Sequence, residues 1–380
     1  MRLHETMTIA GSVGMALALA VVPAMAETYT ASTWLPPTYE LSSEGYDDTL
    51  GRIAEESGGE IAFDIHYSGA LLPARTTLSG IRDGVAQVGL VYPPYTPAEL
   101  PVANLLNSAS FLSEDSLVAA LAYTEISYTN DTVRSEWLDS GVVFGGGYST
   151  PVYNLLCNAE VTTLDQAQGK RLRTASSAHS EMVGQFGGSP VSAPIGDVYS
   201  GMQRGSLECA VADPTNLVTA SFNEVVKNIT EVPLGVVVGA TWVYNAGFWT
   251  ELTADQRSML IDEMALGLVR TQRAYHDNVA NALADAETRG IAITAPAADL
   301  EAFVDDFKSA YLEELTSNGV GNLDAAAVKA LVEEYLALQD RWAATLEGVD
   351  RTDEAALQAV IKENLVSKVD PETYGILSAR

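Results

Sequence analysis

The chain is poor in the residues that usually carry chemistry. Its 380 residues include 2 cysteines and 4 histidines, and 21 basic side chains face 50 acidic ones. Two cysteines, Cys157 and Cys209, are too few for a cysteine-built metal centre; in an oxidising compartment they either close one disulfide or lie as two buried thiols. No G-x-S-x-G elbow, H-E-x-x-H helix or P-loop is present. Ser177, His179 and Ser180 are neighbours in sequence, but a catalytic triad is assembled in space, and this cluster reads as a helix N-terminus. Gly145-Gly146-Gly147 lacks the spacing of a dinucleotide fingerprint and reads as a flexible crossing between lobes. No cofactor and no metal are therefore expected. The formal net charge of -29 repels nucleic acid and anionic lipid. Beyond the first segment, no apolar run reaches the ~20 residues that span a bilayer.

What is present is a folded, exported chain. A hydrophobic content of 47% excludes an acidic disordered polymer, and at about 150 residues per domain the length predicts two or three lobes. Arg2, the short apolar run Ile9 to Val22, Pro23 and the small-x-small triplet Ala24-Met25-Ala26 form a secretory leader, with cleavage expected after Ala26 and a periplasmic destination.

Farther on, Ile61, Phe63, Ile65 and Tyr67 alternate with polar positions as in a half-buried strand. Helical stripes and apolar strands then take turns, from the Glu40–Glu56 helix and the Val88–Tyr92 strand to the Lys170–Thr174 and Leu207–Ala212 strands. Such alternation predicts two α/β lobes built on parallel sheets. Thr163 with Gln166 and Thr253 with Gln256 are spaced as capping boxes. The second box opens a helix long enough to bridge both lobes, and the Ala-, Leu- and Glu-rich end reads as helices packed on the body.

Against the acidic background, Gly169-Lys170-Arg171-Leu172-Arg173-Thr174 concentrates three cations. On a strand, Arg171 and Arg173 share a side, and Arg173 comes near the carboxyl end, where open parallel sheets hold ligands. Its guanidinium offers a carboxylate a planar fork, or serves a structural ion pair; Lys170 and Arg171 are assigned to the surface. Trp34, Tyr92, Tyr95 and Trp242 each stand where a strand meets a loop, positions from which rings can enclose a small organic molecule or pack as ordinary core.

The segments LDQAQGKRLRT, PIGDVYSGMQRGSLECAVADP, FWTELTADQRSML and ESGGEIAFDIHYSGAL, with the ending KVDPETYG, resemble the periplasmic solute-binding proteins of tripartite ATP-independent periplasmic (TRAP) transporters over nearly the whole mature chain. The resemblance implies a two-lobed, Venus-flytrap α/β fold with a long bridging helix and C-terminal helices, and no enzymatic activity. Its expected division is a leader over 1–26, lobe I over 27–148 plus 213–245, lobe II over 149–212 plus 246–330, and a helical segment over 331–380.

It also implies a monomeric receptor that closes on a small organic acid and hands it to integral-membrane permease subunits. The family's carboxylate-gripping arginine matches Arg173. Members that bind sialic acid carry a second arginine upstream, where this chain reads Pro151-Val152-Tyr153-Asn154; Tyr153 joins the expected contacts there. Ala212-Asp213-Pro214 stands where those members have an Asn, so Asp213 is expected to read a hydroxyl, amino or amide group and to repel a second carboxylate. Hydroxy or aromatic monocarboxylates, sugar acids and C4-dicarboxylates all remain open. The other readings are an exported sensory binding module and an exported α/β enzyme.

Overall fold

The computed structural model describes residues 27–376; the leader, its cleavage after Ala26, and His4 lie outside the described residues. Among the described residues eleven strands form: β1 (Glu27–Ser32), β2 (Ile61–His66), β3 (Val88–Val91), β4 (Val142–Ser149), β5 (Asn154–Cys157), β6 (Arg171–Thr174), β7 (Ser189–Ser192), β8 (Cys209–Ala212), β9 (Asn228–Thr230), β10 (Val238–Asn245) and β11 (Ala292–Thr294). They make two sheets, ordered β2-β1-β3-β10-β4 in lobe I and β11-β9-β5-β8-β6-β7 in lobe II. Helices surround both, giving the expected two-lobed α/β fold.

The sheets are mixed where wholly parallel ones were expected. β2, β1 and β3 run parallel, as do β7, β6 and β8, because helices connect them. β10 is antiparallel to β3 and β4, and β5 to β8 and β9. Both antiparallel strands belong to the passages between the sheets: β4 of the first sheet leads into β5 of the second, and β9 of the second into β10 of the first.

These passages also correct two expected boundaries. Gly145 to Gly147 do not form a flexible crossing; they lie inside β4 in the buried sheet. A Cβ on Gly145 would stand 2.5 Å from the Tyr244 ring, and one on Gly147 would stand 2.8 Å from Tyr123, so the glycines let neighbouring rings close on the strand. The return from lobe II falls after β9, not at Asp213, because β9 belongs to the second sheet.

The true crossings are two straps side by side. Thr150 N–H donates to Val237 O at 3.0 Å, Tyr153 N–H to Gly235 O at 2.8 Å, and Leu234 N–H back to Tyr153 O at 2.9 Å. Gly235 sits at φ +71°, and a Cβ there would overlap Phe111 O at 1.9 Å, so only glycine fits.

The third connection is the helix Ala254–Thr288, opened by the Thr253–Gln256 capping box. Along its length Gln272 bonds Ser149 O of β4 at 2.9 Å, Asn278 bonds Glu40 at 2.9 Å, and Asp285 accepts from Asn223 at 3.0 Å. Helices Ala325–Thr345 and Glu354–Asn364 pack back on the body, and the first begins before the expected boundary at 331. Glu125, buried in lobe I, receives Arg341, Trp342 Nε1 at 2.8 Å and Lys368 at 2.5 Å. Cys157 and Cys209 face each other across the β5–β8 ladder as a disulfide inside lobe II. Among the described residues no helix is long and apolar enough to cross a membrane.

Candidate functional site

Strand ends and loops of the two lobes meet around a narrow cavity. Arg173, the third residue of β6, lies among parallel strands near their carboxyl ends and is 1% exposed. Nε donates to Ala193 O at 2.9 Å, Nη1 to Val211 O at 3.2 Å and Nη2 to the Tyr95 hydroxyl at 3.3 Å. All three acceptors are neutral, and no ion pair to Arg173 exists among the described residues. Burying an ion without a counter-charge costs several kcal/mol even after relaxation. Two residues earlier, Arg171 is exposed and paired with Glu208, as its surface assignment required.

Lobe I supplies rings. Trp34 follows β1 and is held by Nε1 donating to Leu90 O at 3.0 Å. Tyr95 meets Trp34 and Tyr92 edge-on, with centroids 5.4 and 4.8 Å apart, a favourable aromatic geometry. The Tyr92 hydroxyl is buried with no hydrogen-bond partner among the described residues, and burial pushes its phenol well above its usual range. Such an orphan donor costs about 1–3 kcal/mol unless something reaches it.

Lobe II supplies Tyr153, Asp213 and the turn after β8. Tyr153 stacks on His179 at 5.3 Å. His179 is pinned between Ser176 at 2.7 Å and Leu234 O at 2.9 Å, and burial pushes it down to about 4, so it is neutral. Ser180 bonds Thr174 at 2.7 Å, which leaves the Ser177-His179-Ser180 cluster as the helix N-terminus it was expected to be.

Asp213 lines the cavity, but its carboxylate is already engaged. Oδ1 accepts from Thr215 N–H at 3.0 Å and Thr215 Oγ1 at 2.5 Å, and Oδ2 from Asn216 at 2.8 Å. Burial pushes its pKa up to about 6, opposed by these Thr215 and Asn216 bonds. Its observed work is to hold the turn that carries Asn216.

Of the expected contacts, Trp34, Tyr92, Tyr95, Tyr153, Arg173 and Asp213 all line this cavity. Trp242 does not. It is fully buried in lobe I, donates Nε1 to Gly45 O at 2.8 Å and packs on Gly146 of β4 and Gly267 of the long helix. Its strand is flanked on both edges, so the side chain projects onto the helix-covered face and not past the strand end.

The residues missed from sequence include Tyr39, Tyr148, Ile195, Thr215, Asn216 and Tyr275. Tyr39 donates to Asn216 Oδ1 at 2.8 Å across the lobes. Tyr275 sits on the apolar stripe of the long helix, and nothing local distinguishes it from core.

A larger groove behind the straps shares Tyr275 with this cavity. Its cations are already matched, Arg351 by Asp115 and Arg273 by Glu354. The front cavity differs in combining a buried, unmatched cation with rings.

Cross-cleft bonds place the molecule in a closed form. Besides Tyr39–Asn216, Thr38 Oγ1 donates to Thr219 O at 3.0 Å, and the Tyr95 hydroxyl meets both Arg173 and Ile195 N–H, the latter at 3.2 Å. Two lobes joined by paired straps and one long helix, shut over a narrow cleft, define a solute-binding receptor. The chain belongs to the bacterial extracellular solute-binding proteins of family 7 (DctP), which match over residues 44–317.

Solved structures of the same shape are TRAP solute receptors. DctP7 of Bordetella pertussis, which binds pyroglutamic acid, is 16% identical with a TM-score of 0.72, covering 82% of this chain and 99% of its own. A marine metagenome TRAP protein specific for aromatic acid ligands is 16% identical with a TM-score of 0.74, covering 83% and 99%. A Bordetella bronchiseptica TRAP protein with bound mandelate is 18% identical with a TM-score of 0.70, also covering 83% and 99%. A solute-binding protein of Albidiferax ferrireducens is 22% identical over 223 residues, 55% of this chain and 62% of that relative's length.

Proposed function

We propose that the protein is a periplasmic receptor that binds a small organic acid between its lobes and delivers it to the membrane subunits of a TRAP transporter. The observation that carries this reading is Arg173, a buried guanidinium with only neutral partners. A bound carboxylate would match its charge through a bidentate pair. Export by the expected leader agrees with a periplasmic site of action.

The lining supports a compact monocarboxylate as the ligand. Arg173 is the single cation among the described lining residues, and Asp213 is a second charge of the wrong sign for another carboxylate. Trp34, Tyr92, Tyr95, Tyr148 and Tyr153 favour a flat or cyclic body. Pyroglutamate, mandelate and aromatic acids, bound by the relatives above, are acids of this kind.

The test is a thermal-shift panel on the chain from Glu27 onward with benzoate, mandelate, pyroglutamate, a sugar acid, a C4-dicarboxylate and the neutral amides of each. At a hundredfold excess over the dissociation constant, binding adds about 2.7 kcal/mol. Stabilisation by a monocarboxylate but not by its amide is expected. A panel in which only neutral solutes stabilise would overturn the reading.

A further inference from the structure

We infer that the Tyr95 hydroxyl is the closure latch of the cleft: it joins the lobes, and its own proton is reserved for an oxygen of the bound acid. The inference rests on reading the cleft as an acid site. Tyr95 follows β3 in lobe I, whereas Arg173 lies in β6 and Ile195 just beyond β7 in lobe II. One phenol oxygen therefore accepts from two lobe II donors, Arg173 Nη2 at 3.3 Å and Ile195 N–H at 3.2 Å.

The remaining valence of that oxygen is the point. A phenol oxygen has two lone pairs and one proton. Both lone pairs are used, and no described residue accepts the proton. The ring has little freedom to carry it elsewhere, since Trp34 and Tyr92 hold it edge-on and the Arg75 guanidinium lies 5.5 Å from its centroid. Arg173 donates once from each of its three nitrogens, which leaves one N–H on each terminal nitrogen. Tyr95 and Arg173 line the same cavity, so three spare donors border one place.

A carboxylate seated on the two N–H groups presents an anionic oxygen to the phenol, and that charge-assisted bond is the strong kind. A neutral acceptor would take the proton while leaving the buried guanidinium unmatched. The other cross-cleft hydroxyl behaves differently: Tyr39 donates to Asn216, whose amide nitrogen is held by Asp213. That chain is complete within the protein, so it favours closure whether or not an acid is bound. Tyr95 instead makes closure depend on the acid.

The experiment compares wild type with Tyr95→Phe, which keeps the ring and removes one oxygen. Benzoate, mandelate and pyroglutamate serve as probes. Equilibrium affinity, dissociation rate and the radius of gyration by small-angle scattering are measured with and without acid, and unfolding without acid checks that the variant is folded.

For an acid that wild type binds, Tyr95→Phe should weaken affinity by about tenfold or more. The loss should appear in the dissociation rate, and the variant saturated with acid should stay less compact than wild type. A variant that releases the acid at the wild-type rate and reaches the wild-type radius would overturn the latch while leaving the acid site standing. If wild type itself binds none of the acids, the acid site and the latch fall together.

Discussion

The two walls of the cleft are built from different chemistry. Lobe I contributes the rings of Trp34, Tyr39, Tyr92, Tyr95 and Tyr148 beside the aliphatic Leu35 and Leu41; lobe II contributes Arg173, Asp213, Thr215 and Asn216, with Ile195 and, as its one ring, Tyr153. The aromatic wall offers surface and hydroxyls but no charge. The polar wall offers charge, yet its acid is spent on its own turn, so only the guanidinium is left for a partner. Neither wall encloses a ligand alone, and the charge gains most when the rings exclude water from it. On the proposed reading, binding and closure are one event, a hinge motion at the straps and the long helix.

The largest effect should come from breaking the polar wall at its centre. Arg173→Met should lower acid affinity by about a hundredfold or more, the usual result of removing one member of a buried charge pair. Without ligand it should melt no lower than wild type, because an unmatched buried charge has been replaced by apolar volume. Arg171→Met is the sharpest control, since its pair with Glu208 is exposed to water and contributes little. Calorimetric titration should find its affinity unchanged, and equal losses in both variants would mean that bulk charge, not the site, attracts the acid.

Next in size is the disulfide, which separates the lobes by stability. Both cysteines lie in the second sheet, so Cys157→Ala with Cys209→Ala should cost about 2–4 kcal/mol in denaturant unfolding and leave affinity intact. A change in affinity without one in stability would place the staple in the hinge. Trp242→Phe is the counterpart in lobe I: losing the bond to Gly45 and some core volume should cost about 1–3 kcal/mol. Titration with the acid should then match wild type; a tenfold loss would return Trp242 to the site.

The smallest effect concerns pH. Glu40, beside Tyr39 at the cleft, is buried, and burial pushes its carboxyl up to about 7 from 4.5. The folded state therefore binds this proton more tightly than the unfolded chain, and stability falls as pH rises from about 4.5 to 7. Glu136, pushed up to about 7, and Asp213, to about 6, act in the same direction. Glu40→Gln should flatten the melting-temperature profile across that window by on the order of 1 kcal/mol, without abolishing the slope. An unchanged slope would show that Glu40 reaches water when folded.

Much of this was legible because it is local. Strands with period two, helices closed by glycine and the capping boxes at Thr163 and Thr253 depend on neighbours within a few residues. Arg173 was legible for a related reason, as a cation on an otherwise buried strand near its carboxyl end. The glycines of β4 were not. A glycine run reads as a flexible loop unless one knows that Tyr244, Met264 and Tyr123 press against it, and these come from distant segments.

By itself, then, the sequence determined most of the elements, the two-lobed class and the one cation of the described cavity lining, all of which follow from residue type, short-range periodicity and family resemblance. Only the tertiary structure decided which rings face the cleft. Periodicity tells a buried face from an exposed one, but a buried face can meet either a core or a cavity. Trp242 and Tyr95 look alike in that respect, and they part only because one lies under the long helix and the other stands at a strand end opposite Arg173.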